Sequence, residues 1–183
     1  MNIKKIYFFG NSILISFILI FFVQNSKWYF EQFIEQKMLP PTKLMDDFTS
    51  FRTEAEIYEY LNLHKVEWKI VYDSTSSYDK LRPEFSEKRI RVANYRTLDT
   101  LGTLELDFNN NRLYQTTFFP SELNRYRVNF KEIFNRDFEL EKEVPYDRST
   151  IIKAIIKDQN GPRIRWYDSR IQEEISSWVD RFS

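Results

Sequence analysis

The chain has 183 residues, and its 27 Lys and Arg are balanced by 27 Asp and Glu, so its formal net charge is zero. That balance argues against a nucleic-acid surface, which shows as a strongly basic one. With no cysteine there are no disulfides and packing alone must hold the fold; three glycines and one histidine leave little for phosphate-cradling loops or for zinc and copper. No cofactor is expected from this composition.

Residues 6–23 form an apolar run without formal charge, directly behind Lys4 and Lys5. A helix of about 18 residues is roughly 27 Å long, close to the depth of bilayer hydrocarbon. The run therefore predicts a single N-terminal transmembrane helix, with Ile6, Phe9, Leu14, Phe17, Leu19 and Phe22 as its anchor residues. Asn11, Ser12 and Ser16 offer a polar, small-residue face for packing on another helix. Val23-Gln24-Asn25-Ser26-Lys27 lacks a small-x-small cleavage pattern, which favours an uncleaved anchor over a signal peptide. Lys4 and Lys5 lie on one side, and Glu31 and Glu35 separate Lys27 from Lys37 on the other. The positive-inside rule then places the N-terminus in the cytoplasm and the domain in the periplasm, anchored at the inner membrane.

The expected organisation is an anchor over 1–25, a juxtamembrane helix and proline linker over 26–41, and a domain over 42–183. Phe30, Phe33, Ile34 and Met38 share a helical face, and Pro40-Pro41 ends that helix. Thr53-Glu54-Ala55-Glu56 is a capping box that opens a helix burying Ile57, Tyr60 and Leu61. His64 follows as the C-terminal cap, where an imidazole suits the last carbonyls better than catalysis without partners. From Val66 to Tyr72 the period becomes two, a strand, and Ser74 to Pro83 reads as loop.

Arg89 to Tyr95 is a second strand. Leu104 to Phe108 alternates, Asn109-Asn110-Asn111 turns the chain, and Leu113 to Phe119 returns, since Asn tolerates the left-handed conformation. Ser121 is placed to cap a helix to about Asn135, with Leu123, Tyr126, Phe130, Ile133 and Phe134 on one face. Asp137 to Arg148, charged and containing Pro145, reads as loop. Thr150–Lys157 and Arg163–Tyr167 form a second hairpin around Gln159-Asn160-Gly161. A last helix opens with Ser169 and Gln172 and carries Ile171, Ile175, Trp178, Val179 and Phe182 in one stripe. This order predicts an α+β fold: an antiparallel sheet of about six strands with two hairpins, packed on one face by helices that include a C-terminal one.

Catalytic residue types are scarce. Asp46-Asp47, Glu139-Leu140-Glu141-Lys142-Glu143 and Glu173-Glu174 match no calcium loop and read as solvated faces. The most suggestive constellation is cationic and aromatic: Arg89 and Arg91 alternate on one strand, Arg163, Arg165 and Tyr167 on another, and Arg170 follows at the strand-to-helix junction. Arginines of this kind suit a protein partner. The bland counterpart is a wet strand face whose arginines pair with nearby acids. The expectation is an accessory or assembly subunit of a bacterial envelope complex, without catalysis of its own. The alternatives are a membrane-tethered immunity or inhibitor protein and a carboxylate-dependent hydrolase.

Overall fold

Strand alternation and left-handed turn residues dictate most of the architecture. A computed structural model of the protein describes residues 40–76, 82–157 and 161–182, which from Pro41 onward belong to one compact unit. The elements, in chain order, are α1 (Glu54–Leu63), β1 (Trp68–Ser76), β2 (Phe85–Thr97), β3 (Thr100–Asn109), β4 (Arg112–Pro120), α2 (Leu123–Phe134), β5 (Glu143–Asp147), β6 (Thr150–Ile155), β7 (Arg163–Asp168) and α3 (Ser169–Phe182). All strands join one antiparallel sheet of seven, ordered β1-β2-β3-β4-β7-β6-β5.

Two parts of the expected fold are corrected. The sheet has seven strands, not about six, because β5 lies inside the stretch 137–148 expected to be loop. Pro145 misled because it cannot donate to a ladder, but β5 is an edge strand and needs donors on one side only. The expected transmembrane helix is not supported: among the described residues no helix is long and apolar enough to cross a membrane. The helices α1, α2 and α3 have 10, 12 and 14 residues, and each carries charges within its turns. The run 6–23, with Ile6, Phe9, Leu14, Phe17, Leu19, Phe22, Asn11, Ser12 and Ser16, lies outside the described residues, as does the helix expected over 26–39.

The turns explain the long meander. Asn110 and Asn111 both adopt positive φ (48° and 61°), the two-residue turn that matches strand twist, and join β3 to β4. Leu98 and Asp99 do the same between β2 and β3 (46° and 52°), without the Asn-Gly signal that would have announced it. Gly102 then passes beneath Phe118 and Phe119 so closely that an added Cβ would lie 2.6 Å from the Phe118 ring.

One face of the sheet is apolar. Ile90, Val92, Leu104, Leu106, Phe118, Ile152, Ile164 and Trp166 are all buried there, together with Ile57 and Leu61 of α1 and Tyr126 and Phe130 of α2. Ser121 does not cap α2; Glu122 holds the N-cap position, and Ile133 is 62% exposed on the outer side of that helix. The segment 42–51 is folded into the same core: Leu44, Met45 and Phe48 are buried, and Asp46 accepts hydrogen bonds from Tyr95 Oη and Thr97 Oγ1, each 2.8 Å.

The C-terminal helix departs from the expectation that helices cover one face only. Trp178 of α3 stacks on Phe85 at 4.3 Å, and Phe85 alternates in phase with Arg89 and Arg91, on the face opposite Ile90 and Val92. Arg112 donates to Glu174 (2.8 and 3.1 Å), fastening α3 beside the β3–β4 turn. Asp168, fully buried, caps this helix by accepting the Arg170 backbone N–H at 3.1 Å.

Candidate functional site on the open face of the sheet

Beyond the end held by α3, the second face of the sheet carries polar rows set by strand register. One row runs Arg91, Glu105, Thr117, Arg165, Lys153 and Glu143 across six strands. The next runs Tyr72, Arg89, Asp107, Gln115 and Tyr167. Directly opposed residues on one face are in contact distance, so register alone brings together side chains far apart in sequence.

The rows are hydrogen-bonded into a chain. Arg89 Nε donates to Asp107 Oδ1 (2.5 Å), and Gln115 Nε2 donates to Asp107 Oδ2 (2.6 Å). Gln115 Oε1 in turn accepts from Arg165 Nε at 3.0 Å and from Arg165 Nη2. Because Asp107 only accepts and Arg165 only donates, the Gln115 amide is satisfied in one orientation alone. In parallel, Arg91 donates through Nε (2.9 Å) and Nη2 (2.6 Å) to Glu105 Oε1. The carboxylates are sunk: Glu105 and Asp107 are 5% and 4% exposed, whereas the side chains of Arg89 and Arg91 are 42% and 46% exposed.

Electrostatics follow from that burial. Desolvation pushes the Asp107 carboxyl above the usual carboxylate range, against the pull of Arg89 and Gln115. Glu87 is likewise raised by burial, with Asp107 adding to the effect and Arg89 opposing it. For Arg89, burial works against the charge, but Asp107 and Glu105 outweigh it and the guanidinium is held protonated. Burial, reinforced by Glu143, pushes the Tyr167 hydroxyl up to about 12.

The residues singled out from sequence divide cleanly. Arg89, Arg91, Arg163, Arg165 and Tyr167 come together on this face, the last with Arg165 5.6 Å from its ring centroid. Arg170 does not join them: it turns back on Asp168 (2.6 and 2.9 Å) and lies 5.3 Å over the Phe51 ring. Of the other nearby cations, Lys88 points to the helical side and bonds Glu54 at 2.6 Å, and Arg82 donates to the Phe182 carbonyl. His64 caps α1, with Nδ1 2.8 Å from the Tyr60 carbonyl oxygen.

Two depressions mark the open face. One, of about 360 Å³, is lined by Arg89, Arg91, Thr103, Glu105, Phe119 and Arg163. The other, of about 430 Å³, lies toward β1 between Glu67, Trp68, Lys69, Arg91, Ala93 and Thr103. They meet at Arg91 and Thr103 and so form one groove across the strands. Sequence reasoning missed Glu105, Asp107 and Gln115. Their only signal was period-two placement opposite Leu104, Leu106 and Thr116, which marks a face and says nothing of partners. Among the described residues, no group of three or more His, Asp and Glu converges as a metal site. No protein-family model matches the chain, and no curated protein matches it.

Proposed function

We propose that the protein is a protein-binding module that works through the open face of its sheet, as an accessory or assembly subunit of an envelope complex. The observation that supports this most is the exposed arginine array, held rigid by buried carboxylates on a sheet face that, among the described residues, α3 covers at one end. A partner meeting Arg89 and Arg91 finds them already ordered, which lowers the entropic cost of association. Arginines fixed in this way are typical of interface anchors. A hydrolytic use of the buried acids has less support, because both Asp107 oxygens are already occupied by Arg89 and Gln115. The envelope address rests on the sequence of residues 1–37, outside the described residues.

The test is a photocrosslinking residue placed in the full chain at Lys69, on the groove, or at Glu132, on the exposed side of α2. Discrete adducts from Lys69 and none from Glu132 are expected in cells. Adducts from Glu132 alone, or from neither, would remove the open face as the binding surface. A reporter active only outside the cytoplasm, fused after Ser183, is expected to give signal; silence would overturn the envelope address.

A further inference from the structure

Resting on that reading, we infer that the groove takes an extended acidic segment of the partner protein. The first argument is charge. The depression around Arg91 is lined by three arginines and one glutamate, and Asp107 bonds Arg89 beneath it, a balance of +1. The adjoining depression adds Lys69 and Glu67 and leaves that balance unchanged. Glu105 is itself engaged by Arg91 and approached by Arg89 at 3.6 Å, so the charge presented outward is that of the guanidinium groups.

The second argument is donor direction. Arg89 spends Nε on Asp107, and Arg91 spends Nε and one Nη2 hydrogen on Glu105. A guanidinium has five N–H groups, so both arginines keep donors for the groove. Alternate residues of one strand lie about 7 Å apart along it, so in a groove that crosses the strands Arg89 and Arg91 stand side by side and flank a segment lying along the groove. Each can receive one carboxylate in a charge-assisted bond.

Size agrees with an extended peptide. The groove runs from β1 past β3 to Phe119 of β4 and Arg163 of β7, four strand spacings. At about 4.8 Å per spacing this is roughly 19 Å, and an extended chain of about six residues covers it. Ala93 and Phe119 supply apolar ground between the cations for the segment's methylene groups.

The probe is a fluorescent hexaglutamate peptide titrated into the full-length protein, followed by anisotropy, with hexaglutamine and inorganic tripolyphosphate as comparisons. Hexaglutamate is expected to bind, more weakly as salt rises, and hexaglutamine not to bind. Arg91→Gln is expected to weaken binding roughly tenfold, the worth of one charge-assisted bond. Because that change also disturbs Glu105, Lys69→Gln is the second variant: Lys69 is exposed, and removing its charge is expected to cost about threefold without placing a new acid opposite Arg91. Failure of hexaglutamate to bind, or equal binding by both variants, overturns the inference. So does displacement by tripolyphosphate at equal charge, which would mark a bare anion site. Crosslinking from Lys69 that persists in Arg91→Gln would leave the protein-binding reading standing and remove the acidic segment. Absence of crosslinking from Lys69 in the otherwise unaltered protein removes both.

Discussion

Replacing Asp107 by Asn changes one oxygen to NH₂ and almost no volume, yet the hydrogen-bond chain cannot absorb it. Asp107 accepts from Arg89 on one oxygen and from Gln115 on the other. In Asp107→Asn one of those donors must face another donor. If Gln115 turns its amide over to help, its own NH₂ meets Arg165. Every arrangement therefore leaves one buried donor opposite a donor, at about 1–3 kcal/mol, and removes a charge-assisted bond worth a similar amount. Relief of the buried carboxylate, whose pKa desolvation already raises, offsets part of this. The net expected loss is about 1–3 kcal/mol, which for a domain of this size is a fall of roughly 3–9 °C in Tm.

The assay is urea unfolding and thermal melting by circular dichroism at neutral pH. Asp99→Asn, the same chemistry on the exposed β2–β3 turn, serves as the control. The sharper test is reversal. Gln115→Glu alone sets two carboxylates face to face and is expected to destabilise. In the double variant Asp107→Asn/Gln115→Glu, the amide introduced on β3 accepts from Arg89 and donates to the carboxylate introduced on β4, which accepts from Arg165. All directions agree again, so the double variant is expected to recover most of either loss, with a coupling energy of at least about 1 kcal/mol. A single variant within about 0.5 kcal/mol of wild type, or strictly additive losses, would refute the reasoning.

Gly102→Ala is expected to be severe, because its Cβ would meet the Phe118 ring and the Phe119 carbonyl inside the sheet; overpacking of this kind costs about 1–3 kcal/mol or more, read by the same melts. Thr53→Ala removes an N-cap whose hydroxyl accepts the Glu56 N–H at 3.3 Å, and is expected to cost about 1 kcal/mol with strands and open face unaltered, visible as faster amide exchange in α1 alone. Acid should destabilise through several groups held below their ordinary values: Glu56 by bonds from Thr53, Asp137 by Arg127, Glu143 by Lys153, and Glu141 by the Ile156 and Lys157 amides. Their depressed folded pKa values give stability that is present above the ordinary carboxylate range and is lost as pH falls through the folded values. Glu56→Gln is expected to flatten that acid limb of a Tm-against-pH curve, and an unchanged limb would count against the capping bond.

Local signals were legible where the physics is local. The Thr53–Glu56 capping box closes within one turn, and both of its bonds are present. The Asn110-Asn111 turn needs only residues that tolerate positive φ, and α3 shows its stripe through Ile171, Ile175 and Trp178. The turn at Leu98-Asp99 was hidden because the neighbouring strands impose positive φ on residues that do not favour it. The segment 42–51 has neither period, and its apolar residues become core only because β2 and β4 offer Tyr95, Thr97 and the Leu113 carbonyl to it.

The sequence by itself determined the alternation that makes one sheet face apolar and the other polar, and it marked Arg89, Arg91, Arg163, Arg165 and Tyr167 as wet-face residues. Tertiary structure alone decided which of them meet. Strand register set Arg89 against Asp107, Asp107 against Gln115 and Gln115 beside Arg165, although residues 89 and 165 lie far apart along the chain. It also sent Arg170 to Asp168 and placed α3 on the second face. The reason is that side-chain period is a property of each strand, whereas partners arise from pairing between strands, where a slip of one residue would exchange every face.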